Sequence, residues 1–430
     1  MRTVTESVHQ AALATGLTRE GVLATVAVAA AVLLKNGQTT ERVVLAAERL
    51  GRALGLPLKV HPHWGELAVH VEGTPFSEMI PATPLAVDMG KVLAGTKIVD
   101  DVCGGRMSGM AARAALEAIE RLPPASTARF ILFAALGGSS LGVIFGTLDL
   151  ASLLLIALAA GSGAVLRRGL ASLGQNPFAQ PLCAATLAGV IGALATRFHL
   201  AEAPDLVTLC PGMVLIPGPH ILNGAIDFAR ARIVLGMARL AYSGLTVLMI
   251  CTGLLVGLTV GGEALPVATS SLAVPLGLDV VAAGFAVAAF GTFFSMPWRL
   301  LPVPIALGIV AHAARWALIS VAGAPVAAGA LGACILAGVL VTPIVDRLHL
   351  PFAALAFCAV VSMMPGVFLF RAADGLVRLV SAGDSAPTEM LADTVANGVT
   401  AFLVIVAMTF GLILPRMLFE RFLRQPGRPQ

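Results

Sequence analysis

From residue 130 onward the chain is a succession of apolar runs. Ten can be counted, over 130–148, 150–166, 178–196, 204–222, 239–260, 277–296, 301–320, 326–345, 352–370 and 396–414. Each is near the ~20 residues that carry a helix across the hydrocarbon core of a bilayer. The first two are separated by almost nothing, which predicts a tight helical hairpin.

Ahead of residue 130 the pattern differs. Val22–Leu34 is apolar but shorter than a span. A signal peptide would want a basic start and a small-residue cleavage site. Here Glu6 and Glu20 precede the run and LKNGQTT follows it, so it reads as a buried helix of a folded domain. Val43, Val44, Ala47, Leu50 and Leu54 then recur at helical spacing, with Thr39 or Thr40 as N-cap and Gly55 and Pro57 as terminators. PLKVHPHW and ELAVHVEG alternate polar and apolar positions and predict a β-hairpin turning near Gly65, with a further strand through SEMIPA. Two more helices are expected, over roughly 86–100 and 108–122, and Pro123-Pro124 closes the domain. His61, His63 and His70 share the polar side of the hairpin. No fourth ligand is fixed by spacing, so they read as a solvated strand face and not a metal site.

Composition sharpens this division. The 430 residues are 57% hydrophobic and 12% charged, with a mean hydropathy of +0.90. Soluble domains carry about 25% charged residues, so lipid solvates most of this chain. The expected fold class is mainly α: a polytopic helical membrane protein with ten transmembrane helices and an N-terminal cytosolic α/β domain. A net charge of +4 without a Lys/Arg block excludes a nucleic-acid surface. Of the six cysteines, none forms a CxxC and five lie in apolar segments, so they read as small buried residues.

The arginines orient the spans. With the front domain in the cytoplasm, Arg167, Arg168, Arg230, Arg232, Arg239, Arg299, Arg347, Arg416, Arg421, Arg424 and Arg428 fall on the cytoplasmic side. Only Arg197, Arg371 and Arg378 fall outside. This positive-inside bias predicts a multi-pass protein of the inner (plasma) membrane with both termini cytoplasmic.

Two of the spans are unusual. Residues 209–228 are apolar yet hold Pro211, Gly212, Pro217, Gly218 and Pro219, followed by His220, Asn223 and Asp227. A break at membrane depth frees backbone groups, which is tolerated only in protein or beside a wet cavity. Discontinuous helices are where transporters hold solute and ion. The second unusual span repeats the punctuation. RFHL (197–200), Pro217-Gly218, Asn223 and Asp227 are answered by RLHL (347–350), Pro365-Gly366, Arg371 and Asp374. Spans four and nine are five apart, an odd number, so the repeats would enter the membrane in opposite senses. The expected organisation is a cytosolic domain (1–125), two inverted five-helix repeats (126–262 and 272–415) and a basic cytosolic tail (416–430).

The front helix LLKNGQTTERVVLAAERLGRALGL, the segment DDVCGGRMSGMAARAALEAIERLPP and the stretch IPGPHILNGAIDFARARIVLGMARL resemble the threonine/serine exporter family. RLHLPFAALAFCAVVSMMPGVFLFRAADGL resembles that family's C-terminal membrane module, so the resemblance covers about residues 20–415. It implies export of threonine and serine driven by the proton gradient. Related two-protein systems that split the modules are linked to dicarboxylates such as succinate. The doubled break, Pro211-Gly212 and Pro217-Gly218-Pro219 with His220 beside it, departs from the family's simpler pattern.

A zwitterionic substrate needs partners for a carboxylate and an ammonium. Freed amides at a half-helix N-terminus suit the first; Asp227, Asp374 or freed carbonyls suit the second. Proton coupling needs a group that changes charge, and ionisable residues in or beside spans are the default candidates. The path candidates are therefore Pro217, Gly218, His220, Asn223, Asp227, Pro365, Gly366, Arg371 and Asp374, with His312 and Arg315 on span seven. The bland readings pair Asp227 with Arg230 and Asp374 with Arg378. GGSSLG (137–142) reads as a close-packing stripe. With no GxxxxGK[ST] or HExxH, no catalytic residue, metal or cofactor is assigned. The expected partners are the bilayer, a small amino acid and protons; a homo-oligomer is compatible. The readings kept beside transport of amino acids are dicarboxylate export, an intramembrane enzyme and a membrane sensor.

Overall fold

The computed structural model describes residues 17–174, 176–265, 274–348, 350 and 352–422. His349 of the second RLHL motif, and Arg424 and Arg428 of the tail, lie outside the described residues.

The front unit is built on α1 (Arg19–Lys35), which is buried along nearly its whole length, including Val26, Ala30 and Leu34. A helix apolar on all sides needs cover on all sides. It receives that cover from α2 (Thr40–Ala53), from β2 (Gly65–Val71) and β3 (Ser77–Ala82), and from α3 (Met89–Cys103) and α4 (Gly109–Glu120). With β1 (Leu58–Pro62) the strands form an antiparallel sheet in the order β1-β2-β3. Val60 faces Val69 and His61 faces Ala68. The hairpin and the SEMIPA strand are thus where alternation predicts them. The His61 and His70 rings lie 5.4 Å apart, and no metal-binding cluster occurs among the described residues.

Among the described residues eight helices are long and apolar enough to cross a membrane: α5 (Thr127–Ile144), α6 (Leu150–Ser172), α7 (Ala179–Arg197), α10 (Ile233–Val260), α11 (Leu276–Phe293), α12 (Pro302–Trp316, continuing to Val321), α13 (Val326–Leu348) and α16 (Thr388–Phe422). Two bent pairs complete the set. α8 (Pro204–Met213) meets α9 (Gly218–Ala229) at 54°, and α14 (Phe352–Val360), extended by a short turn to Met363, meets α15 (Gly366–Ala382) at 63°. Both second halves run further than the apolar runs suggest. Asn223, Asp227, Arg371 and Asp374 therefore lie within helices, not beyond them. The second half-helices are amphipathic, so hydropathy alone loses their polar turns.

Ion pairs and hydrogen bonds fix how the bent pairs run. The front unit bonds to the C-terminal turns of α9 (Thr40 to Asp227, Glu41 to Arg230), to Phe294 just after α11 (from Met89 N–H), and to Asp346 near the end of α13 (from Arg42). Arg168, late in α6, bonds Ala125 just ahead of α5. All these helix ends therefore lie at one face. Alternating crossings bring them there only if the first bent pair counts as one full crossing. A re-entrant α8–α9 loop would leave α9 and the start of α10 at the opposite face. The first bent pair is therefore one crossing, and the described residues hold eight to ten candidate spans.

The two halves use the same helix pairs. α7 packs along α10, as α13 packs along α16; α9 packs on α10, as α15 packs on α16; and α5 packs against α11 at the centre. The breaks also meet reciprocally. Pro217 and Pro365 precede the second half-helices with similar backbone angles (φ −81°, ψ 58° and φ −82°, ψ 39°). Gly218 then lies against Phe357 of the other half, where an added Cβ would sit 1.7 Å from the ring. Gly366 lies against Met213, where a Cβ would sit 2.5 Å from its Cγ. Glycine is what allows each half-helix start to approach the other half this closely. The GGSSLG stripe packs as expected, with Gly137 against Ala289 of α11 and Gly138 against Ala160 of α6.

Candidate substrate site at the first broken helix

A cavity of about 350 Å³ lies beside the first break. Its walls are the break itself (Val214–Pro217, Pro219 and His220), Arg167 of α6, Tyr242 and Thr246 of α10, and aromatic rings of α5 and α11. Leu85, Ala86 and Val87 of the front unit close over it. The volume is in the range of small-molecule sites, which are mostly apolar with a few polar groups.

Arg167 is the notable polar group. Its Nε is buried and has no hydrogen-bond partner among the described residues, and its guanidinium sits 5.6 Å from the Phe130 ring centroid. No carboxylate lies within ion-pair distance of it among the described residues. A half-buried cation without a counter-ion is left available for an anionic ligand. Sequence reasoning placed Arg167 in a cytoplasmic loop; it belongs to α6 because the helix runs on past the apolar run.

Backbone carbonyls supply the opposite polarity. α8 ends at Met213, and Pro217 and Pro219 have no N–H to give back. The carbonyls of Val214 and Leu215 accept no hydrogen bond among the described residues. Free amides, by contrast, are missing here, against the expectation for a half-helix start. Gly218 N–H donates to Ile216 O at 2.9 Å, His220 N–H donates to Pro217 O at 3.1 Å, and Pro219 has none. The doubled proline leaves acceptors at this break, not donors.

The polar face of α9 is turned toward the front unit. His220 Nε2 lies 3.1 Å from Pro84 O, Asn223 Nδ2 donates to Gly37 O at 3.2 Å, and Asp227 Oδ2 accepts from Thr40 Oγ1 at 3.0 Å. Positions 220, 223 and 227 fall on one helical face, and all three are buried. Asp227 does not pair with Arg230, which bonds Glu41. It pairs with Arg239 at 3.2 Å, both 1% exposed, and with Arg232 at 3.6 Å. Arg239, expected in a loop, is buried in α10. Thr39 is the backbone cap of α2 without a side-chain bond, while the Thr40 hydroxyl goes to Asp227. His220 also stacks at 5.1 Å on Tyr242, the one tyrosine of the chain.

Residues 24–261 match the ThrE model of threonine/serine exporters, and residues 279–418 match a second model described as "Threonine/Serine exporter, ThrE". The chain belongs to the threonine/serine exporter family. It is a polytopic helical membrane protein of a transporter family and lies in contact with lipid. No curated protein and no solved structure matches it.

In this exporter-family chain the other predicted residues fall elsewhere. Arg371 joins Asp205, at 3.1 Å, across the two halves, and Asp374 pairs with Arg378 at 2.6 Å as expected. Arg378 also reaches Leu265 O just beyond α10, at the face opposite the front unit. Asp227 and Asp374 are accordingly not brought together. His312 meets Asp279 of α11. Asp205 and Asp279 escaped the sequence reading, although both lie inside predicted spans and carry the same signal as the six ionisable residues chosen.

Proposed function

We propose that this chain exports small amino acids, threonine and serine, from the cytoplasm, and that the proton gradient drives the export. The substrate occupies the cavity at the first break, its carboxylate on Arg167 and its ammonium on the free carbonyls of Val214 and Leu215. The unpaired Arg167 in that cavity is the observation that carries this reading. One cation beside acceptor carbonyls suits a zwitterion; a dicarboxylate would need a second cation. The nearest further arginine on the helix, Arg168, already donates to Ala125 O and stacks on Phe130.

The path would run between two inverted five-helix repeats, residues 126–262 and 272–415, with residues 1–125 as a cytosolic domain over the inner mouth. The matched helix pairs and the reciprocal Gly218 and Gly366 contacts support that arrangement, since inverted repeats place sites near the midplane at their interface. The arginine bias supports an inner-membrane location with both termini cytoplasmic.

The test is efflux of preloaded threonine, serine and succinate from cells, with and without an uncoupler. Threonine and serine efflux should depend on the protein and fall with the uncoupler. Arg167→Gln should raise the half-saturating threonine concentration by about ten-fold or more, as loss of a charged hydrogen bond would. Protein-dependent succinate efflux without threonine efflux would replace this reading by dicarboxylate export.

A further inference from the structure

A second buried polar cluster lies away from the cavity, in the second half. Asp279 stands in the first turn of α11 and is 4% exposed; His312 of α12 is fully buried. His312 Nδ1 lies 2.7 Å from Asp279 Oδ2. An ionised carboxylate only accepts, so Nδ1 carries the hydrogen and donates it. That leaves the Nε2 lone pair, and Nε2 is buried with no partner among the described residues.

The surroundings hold little to compensate a new charge. Arg315, one turn along α12, is within electrostatic reach of Asp279, and its Nε is unpartnered. α13 contributes Cys334 and α14 contributes Cys358, both fully buried. The turn at 361–363 contributes Ser362, whose Oγ is buried and unpartnered. α5 packs on α11, but its Arg129 is held at the other end by Met296 O. No other acid faces the pair from these elements among the described residues.

We infer that the Asp279–His312 pair is the proton-carrying site of this transporter, separate from the substrate cavity. It rests on the proposed gradient-driven export. The proton adds to Nε2 of neutral His312, giving an imidazolium held against the Asp279 carboxylate. It leaves from the same nitrogen toward the other side, so nothing else is consumed. Histidine is the side chain whose charge changes near physiological pH. The pair is also placed to feel the second break. Gly308, one helical turn from His312 on the same face, packs so closely that an added Cβ would lie 3.1 Å from Ala359 O of α14.

The experiment uses full-length protein in liposomes and two readouts. One is exchange of labelled for unlabelled threonine with no pH difference. The other is accumulation driven by an imposed pH difference. Asp279→Asn and His312→Gln should each retain exchange within about two-fold and lose driven accumulation by about ten-fold or more. Retained accumulation in either variant overturns the assignment. So does loss of exchange in both, which would make the pair a structural strut. Failure of the unaltered protein to accumulate under a pH difference would instead sink the gradient-driven reading itself.

Discussion

Thr40 of the front unit donates a hydrogen bond to Asp227 of the first broken helix at 3.0 Å, across 187 positions of sequence. The same carboxylate holds Arg239, so one buried acid joins the front unit, α9 and α10. Removing one member of a buried pair strands the other, which typically costs about 3–5 kcal/mol. Asp227→Ala should therefore lower the unfolding temperature of the purified protein sharply, and Thr40→Val much less. Limited proteolysis should also find the front unit released in Asp227→Ala. Equal thermal stability of Asp227→Ala and the unaltered protein would contradict this account.

Gly218 and Phe357 give a second expectation. A methyl group at position 218 would overlap the ring, and overpacking of this kind costs about 1–3 kcal/mol. Gly218→Ala should lose stability and transport together. Phe357→Ala, which opens the space, should restore part of both when combined with it. Rescue by the double variant, measured as a coupling energy in thermal unfolding, is the sign that the contact between halves is responsible.

Asp205 and Arg371 form the ion pair that crosses the halves at the face away from the front unit. Asp205 is 2% exposed, so the pair is well shielded on one side. Arg371→Gln leaves Asp205 without its counter-ion and should destabilise more than Asp205→Asn with Arg371→Gln together. Threonine exchange in the double variant should recover relative to the single one if the pair acts as a strap between halves. Equal loss in both would remove that role.

Asp149 caps α6 and ties down the approach to α8. Its carboxylate accepts from Ser152 Oγ at 2.7 Å and Ser152 N–H at 2.8 Å, and from Glu202 N–H at 3.3 Å. The hydrogen bonds to Ser152 hold its carboxyl at about 2, below the usual range. A depressed carboxyl stabilises the fold above its unfolded value and loses that contribution as pH falls through its folded one. Asp149→Ala should cost about 1 kcal/mol at neutral pH, as a lost cap does. The difference from the unaltered protein should fade between about pH 4 and pH 2.

Asp88, which caps α3 beside the strap over the cavity, goes the other way. Burial pushes its carboxyl up despite the hydrogen bond from Lys91 N–H. The cost of holding it charged is absent at low pH and appears as pH rises through the folded value. Asn caps as well as Asp. Asp88→Asn should thus raise the unfolding temperature at neutral pH and leave it unchanged near about pH 3.

The apolar runs made the crossings legible, because length and composition are enough to define a helix in lipid. Pro217-Gly218 and Pro365-Gly366 made the breaks legible, because proline removes a donor wherever it stands. What the runs could not give was the partner of each polar group. Asp227 pairs with Arg239 and Thr40, neither of which is its neighbour in sequence, and Arg230 next to it bonds Glu41. Arg167 looked like a loop residue because hydropathy falls where α6 becomes polar, although the helix continues. Asp205 and Asp279 were readable in principle; each is a lone acid at the start of an apolar run.

The strap at Leu85–Val87 and the turn at Gly37–Thr40 bear on the first half's broken helix, while α15 of the second half points its polar turns to the face where the front unit is not. Two halves with matching helix pairs would otherwise meet both sides of the membrane on equal terms. With the front unit attached, opening one mouth of the proposed path would require undocking a folded domain and opening the other would not. On the proposed path the molecule would be kinetically lopsided, its two mouths opening at different rates even with the same solution on either side.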